Sequence, residues 1–98
     1  MVTNVMLMKL THEGARHIKD APNRIKAAID GFEAIGGKVI AFYAVTGEYD
    51  YVAIGEAPDD NVALAFMVSL TAQGNVKSTS LRAYTIDQLA AVCEKLPG

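Results

Sequence analysis

The sequence predicts an α+β domain with the element order βαββαβ and a short helix at its end. Three observations predict it. Three stretches are dense in β-branched, aromatic and other apolar residues, and a fourth is rich in Thr and Ser. One more carries apolar residues at three- and four-residue steps, another is nearly all apolar, and glycines or helix-capping residues stand at the joins. The chain of 98 residues fits a single domain over residues 1–98, since chains divide only well beyond this length.

Val2 to Leu10 is rich in Val, Met and Leu and stops at Thr11, a good cap for a helical turn, so it reads as the first strand. From Ala15 onward, Ile18, Ala21, Ile25, Ala28, Ile29, Phe32 and Ile35 keep helical spacing. Pro22 disfavours helical geometry at Ala21, which predicts a short helical turn and then a main helix capped by Asp20 or Ala21. Gly36-Gly37 ends that helix. Lys38 to Thr46 and Asp50 to Ala57 read as strands joined through Gly47-Glu48-Tyr49, a hairpin. Pro58-Asp59-Asp60 places acidic residues at the start of a second helix, Val62 to Gln73, with Gly74 as its stop. Asn75 to Tyr84 is a fourth strand, and Thr85-Ile86-Asp87-Gln88 has the spacing of a capping box that opens the last helix.

Right-handed crossovers turn this order into the ferredoxin-like arrangement, a four-stranded antiparallel sheet with both main helices on one face. If the other face met water, the strands would alternate apolar with polar residues. Instead both faces are apolar. Val5 and Leu7 oppose Met6, Met8 and Leu10; Ile40 and Phe42 oppose Val39, Ala41, Tyr43 and Val45; Val52 and Ile54 oppose Tyr51 and Ala53. The face without helices is therefore expected to be covered by a second chain, a ligand or both. Which of Ala41 and Phe42 faces the helices is left open by the sequence.

Composition narrows the function classes. A formal net charge of −2 gives no electrostatic reason to bind nucleic acid or anionic lipid. The single cysteine, Cys93, cannot pair within the chain, and Met1 to Leu10 lacks the basic start and cleavage site of a secretory signal, so a cytoplasmic location is expected. No apolar run approaches the roughly 18 residues of a membrane span, which implies a soluble protein. The hydrophobic fraction of 51% is slightly above the soluble average and again points to apolar surface in need of a partner.

Most motif candidates have a structural explanation. His12 and His17 are five residues apart, which turns them about 140° from each other on a helix, so the zinc-protease spacing fails. Solvated or locally hydrogen-bonded histidines are expected, and no ligand set has metal spacing. Cys93 lies on the apolar side of the terminal helix without a basic neighbour, which predicts a buried, inert thiol. The hairpin is more informative. Gly47 supplies a positive φ, Tyr49 packs the turn, and Asp50 accepts backbone hydrogen bonds at the start of the third strand. A ligand site built on the same segment would place Tyr49 and Asp50 at the mouth of a cleft, with Tyr43, Tyr51 or Tyr84 nearby and Arg24 or Arg82 as a counter-charge.

Thr11-His12-Glu13-Gly14, Ala21-Pro22-Asn23-Arg24, Gly36-Gly37-Lys38-Val39, Gly47-Glu48-Tyr49-Asp50, Ala57-Pro58-Asp59-Asp60 and Leu81-Arg82-Ala83 together resemble the GYD domain family over nearly the whole chain. That family is named for its Gly-x-Tyr-Asp hairpin and is grouped with the dimeric α+β barrels, in which two sheets pack face to face. The resemblance implies a homodimer or higher homo-oligomer and no settled activity. Two function classes follow. One is a non-catalytic module that binds a small molecule or another protein, with no cofactor. The other is an enzyme of the dimeric α+β barrel type, monooxygenase-like or haem-degrading-like, that works with a shaped apolar pocket and few polar groups.

Overall fold

A computed structural model describes residues Met1–Gly98. β1 (Val2–Leu10) is followed by a single helical turn, α1 (His12–Arg16), a 3-10 turn (Ile18–Asp20) and α2 (Ala21–Ala34). β2 (Lys38–Ala44) and β3 (Tyr51–Ala57) form the hairpin, α3 (Asp60–Gln73) crosses to β4 (Val76–Ala83), and α4 (Ile86–Cys93) closes the chain. The sheet order is β2-β3-β1-β4, and every pairing is antiparallel. The ferredoxin-like βαββαβ arrangement predicted from the sequence is thus the observed one.

The local signals act as their chemistry requires. Thr11 caps α1 by accepting from the Gly14 N–H at 3.1 Å, and Asp59 caps α3 by accepting from the Val62 N–H at 2.9 Å. Pro22 sits in the first turn of α2, where its missing N–H costs nothing. Gly36 and Gly74 take φ of +100° and +73° where the two main helices stop. At α4, Thr85 and Gln88 exchange both bonds of the capping box, at 2.7 and 3.0 Å.

Register decides which residues enter the core. Met6 pairs with Ala53 and Met8 with Tyr51, and these four, with Leu70 of α3, form the buried cluster on the helix-covered face. Phe42 pairs with Ala53 and packs against the same cluster, its ring 5.4 Å from that of Tyr51. Phe42 is therefore the β2 residue under the helices, and Ala41 faces away. One expectation needs correction here. The pairing shifts between Val39 and Ala41, which leaves Ile40 unpaired, so Val39 shares the side of Phe42 rather than that of Ala41. A bulge adds one residue and so inverts the alternation on one side of it.

Phe32 links the layers. Its ring lies 4.5 Å from that of Phe66 on α3, and it covers Gly55 of β3 and Gly37 closely enough that a Cβ at either would press on it. Glycine inside β3 is thus a seat for an aromatic ring.

A second correction concerns Cys93. It is exposed, as is every other residue of α4, because this helix leaves the edge of the sheet instead of packing on the core of its own chain.

Candidate functional site

The face of the sheet opposite the helices has one composition across all four strands. Pairing places Val5, Ile54 and Leu81 side by side, with Leu7, Val52 and Thr79 in the next row and Ala41 and Tyr43 on β2. Lys9, Lys77, Lys38 and Glu56 share this face at its ends. An apolar centre with a charged rim is the anatomy of a protein interface. None of the central residues is fully buried, and Tyr43 and Leu81 are 63% and 49% exposed. Contiguous apolar surface of this kind marks an interaction site, since isolated surface residues do not align over neighbouring strands.

A second apolar feature lies on the other face. Between the sheet, α2 and α3 there is a cavity of about 70 Å³, lined by Met8, Phe42, Phe66 and Leu70 among others, with Arg24, Gln73 and Asn75 as its polar lining residues. A void of this kind loosens the core and can accept a small apolar group.

The residues singled out in the sequence are spread between these features. Asp50 closes the end of the β1–β3 pairing. One carboxylate oxygen accepts from the Leu10 N–H at 2.8 Å, the Asp50 N–H donates to the Met8 carbonyl at 2.9 Å, and the Asp50 carbonyl accepts from the Val45 N–H at 2.9 Å. Each of these bonds is structural. Tyr49 holds the Lys9 ammonium 5.3 Å from its ring centre, and Lys9 also meets Glu48 at 3.7 Å. Tyr43 stands on the open face, opposite Val52.

Arg24 and Arg82 are not brought together. Arg24 donates to the His17 carbonyl at 2.8 Å and to the Gly14 carbonyl at 3.4 Å, beyond the last residue of β1. This ties the turn of α1 to α2, as a cation suits the carbonyl end of a helical turn. Arg82 pairs in register with Asn4, near the first residue of β1, and meets Asp60 at 2.8 Å and the Tyr84 ring at 5.7 Å. His17 is hydrogen-bonded to Glu13 at 3.0 Å, a local pair on α1.

Two groups had weaker sequence signals. The cavity-lining Phe66, Leu70 and Gln73 belong to a helix that is apolar nearly all round, so spacing did not mark one face. On the terminal helix only Cys93 is marked by the sequence, as a residue of its apolar side, while Ile86 and Leu89 are exposed with it and carry no separate signal.

Comparison with known proteins fits these features. A curated relative from Thermus thermophilus, named glutamine synthetase and cystathionine beta-lyase binding protein, is 37% identical over 92 residues, covering 93% of this chain and 97% of the relative. Among solved structures, that of FFRP-DM1 superposes with a TM-score of 0.56 at 19% identity, covering 86% of this chain and 100% of that one. That of MtbAldR gives a TM-score of 0.60 at 19% identity and covers 86% of this chain. The chain spans about half the length of MtbAldR, 52%. These two likenesses show the fold. A relative named as a binding protein fits a small binding or interaction module. The family model described as the GYD domain matches residues 5–93, and the chain belongs to that family.

Proposed function

We propose that this protein is a homo-oligomeric interaction module that docks on enzymes of nitrogen and sulfur amino-acid metabolism. The open sheet face carries the reading. Its apolar centre suits self-association, and pairing two such sheets would make the α+β barrel expected of the family. The outer helices would then remain available to other proteins. Enzyme docking is supported by the relative whose name records binding to glutamine synthetase and cystathionine beta-lyase.

The test is co-elution of the purified protein with each of these two enzymes from the same organism, at tens of micromolar. A shift of the small protein into the enzyme peak is expected for at least one of them. Separate elution from both overturns the docking reading.

The cavity beneath α2 and α3 favours a second reading, in which the module also takes up a small apolar molecule. Native mass spectrometry of freshly purified protein checks it. A retained mass lost from Leu70→Trp, which fills the cavity, supports uptake, and a bare chain mass from the wild type excludes it.

A further inference from the structure

The cavity beneath α2 and α3 carries charge of one sign. Arg24 is the single charged residue in its lining, and no aspartate or glutamate borders it. The polar residues of the lining gather at one end. Arg24 donates to the Gly14 carbonyl, and a Cβ on Gly14 would meet the Asn75 carbonyl oxygen and the Leu10 side chain. Asn75 and Leu10 both line the cavity, and Gln73, the last residue of α3, stands two positions before Asn75. The loop between them is held by Thr11, whose N–H donates to the Asn75 carbonyl at 3.0 Å and whose hydroxyl donates to the Gly74 carbonyl at 2.6 Å. Gln73 is exposed, so this end reaches the surface. Arg24, Gln73 and Asn75 thus form a polar mouth on a fixed backbone, with Met8, Phe42, Phe66 and Leu70 lining the apolar body behind it.

The guanidinium at this mouth has capacity to spare. Arginine carries five N–H groups. Arg24 spends its two shown bonds on neutral acceptors, the His17 carbonyl at 2.8 Å and the Gly14 carbonyl at 3.4 Å. Its carboxylate neighbour Asp20 lies 3.9 Å away and is 63% exposed, whereas Arg24 is only 24% exposed. A contact of that length in solvent leaves the charge weakly neutralised. A planar fork of N–H groups in a half-buried setting suits the two oxygens of a carboxylate. Volume limits the rest of the ligand. An apolar cavity of about 150 Å³ accepts the six carbons of benzene. The volume of about 70 Å³ found here therefore takes a body of about three carbons.

We infer that this cavity takes a short aliphatic carboxylate, with its chain among Met8, Phe42, Phe66 and Leu70 and its carboxylate on Arg24. This rests on the small-molecule uptake proposed above and assigns the head group.

The experiment titrates the full chain, labelled with ¹⁵N, with sodium butanoate, butanamide or sodium acetate up to tens of millimolar at constant ionic strength. Amide and arginine Nε–H shifts are followed in the wild type, Arg24→Gln and Leu70→Trp. In the wild type, butanoate is expected to move the amides of the lining together with the Arg24 Nε–H, and to bind at least tenfold more tightly than butanamide or acetate. Arg24→Gln should bring butanoate down to the level of butanamide while butanamide still binds, which shows the cavity intact. Leu70→Trp should abolish both. Arg24 also ties the turn of α1 to α2, so its own Nε–H in the wild type gives a readout that needs no variant. An Nε–H unmoved by saturating butanoate overturns the inference. Equal affinity for butanoate and butanamide, each lost in Leu70→Trp, overturns the carboxylate and leaves uptake standing. Acetate binding as tightly as butanoate overturns it too, since the contact is then with a surface anion only. If neither four-carbon probe binds, the carboxylate is overturned, and the retained mass in native mass spectrometry decides uptake separately.

Discussion

The two faces of this sheet are built from the same strands and are nearly equal in apolar content, yet only one is covered by its own chain. Met6, Met8, Tyr51 and Ala53 on the covered face are each at most 8% exposed. Their neighbours Val5, Leu7, Val52 and Ile54 are intermediate, and Tyr43 and Leu81 are open. Strand sequences thus carry two apolar faces at once, one covered within the protomer and one left open by it. α4 repeats the lesson at the level of a helix.

The difference can be tested by substitution, from the largest effect down. Met8→Lys places an ammonium in the covered core, and its desolvation should rival the whole stability of about 5–15 kcal/mol for such a domain. Loss of the folded circular dichroism spectrum is expected, and a folded variant would mean that the covered face is not a sealed core. Next is Gly14→Ala. Gly14 is buried, and a Cβ there would collide with the Asn75 carbonyl oxygen. That carbonyl is held by the Thr11 N–H at 3.0 Å, while the Thr11 hydroxyl donates to the Gly74 carbonyl at 2.6 Å, so the neighbour cannot yield freely. A loss of about 1–3 kcal/mol in urea unfolding is expected.

Asp50→Ala leaves the Leu10 N–H without its acceptor and should cost about 1–2 kcal/mol. An unchanged denaturation midpoint would mean that Asp50 has no structural task. The smallest change should be Arg82→Ala. Its ion pair with Asp60 joins side chains that are 40% and 77% exposed, and solvent screening limits such pairs to within about 1 kcal/mol. A larger loss in thermal unfolding would mean that the open end of the sheet, from which α4 leaves, is tied as firmly as the end held by Asp50.

Much of the fold was legible because it rests on local chemistry. Thr11, Asp59 and the Thr85–Gln88 pair cap helices through bonds that span three residues, and Gly36 and Gly74 stop helices by conformations that other residues resist. The two-sided strands were legible through their period of two. The bulge at Ile40 was not, since an extra residue leaves no mark in composition and only the pairing with Gly55 and Ile54 reveals it. Cys93 departs from the expectation because an apolar side on a helix does not say whether the rest of the chain reaches it, and here it is exposed. Of the candidate site, Asp50 and Gly47 followed from the turn they build. Arg24 and Arg82 could not be placed in the same way, since the end of the sheet each one reaches depends on crossovers through α2 and α3.

The most direct test of the open face uses adjacent residues of the central strand. Leu7 looks out from the open face and Met8 into the covered one, so lysine at each probes one face at a time. Size exclusion coupled to light scattering, with circular dichroism, should show an oligomeric wild type, an unfolded or aggregated Met8→Lys, and a Leu7→Lys that becomes a smaller species with its helices intact. A wild type that runs as a stable monomer at every concentration, or a Leu7→Lys that keeps the wild-type mass, would contradict the claim that the open sheet face is completed by a second copy.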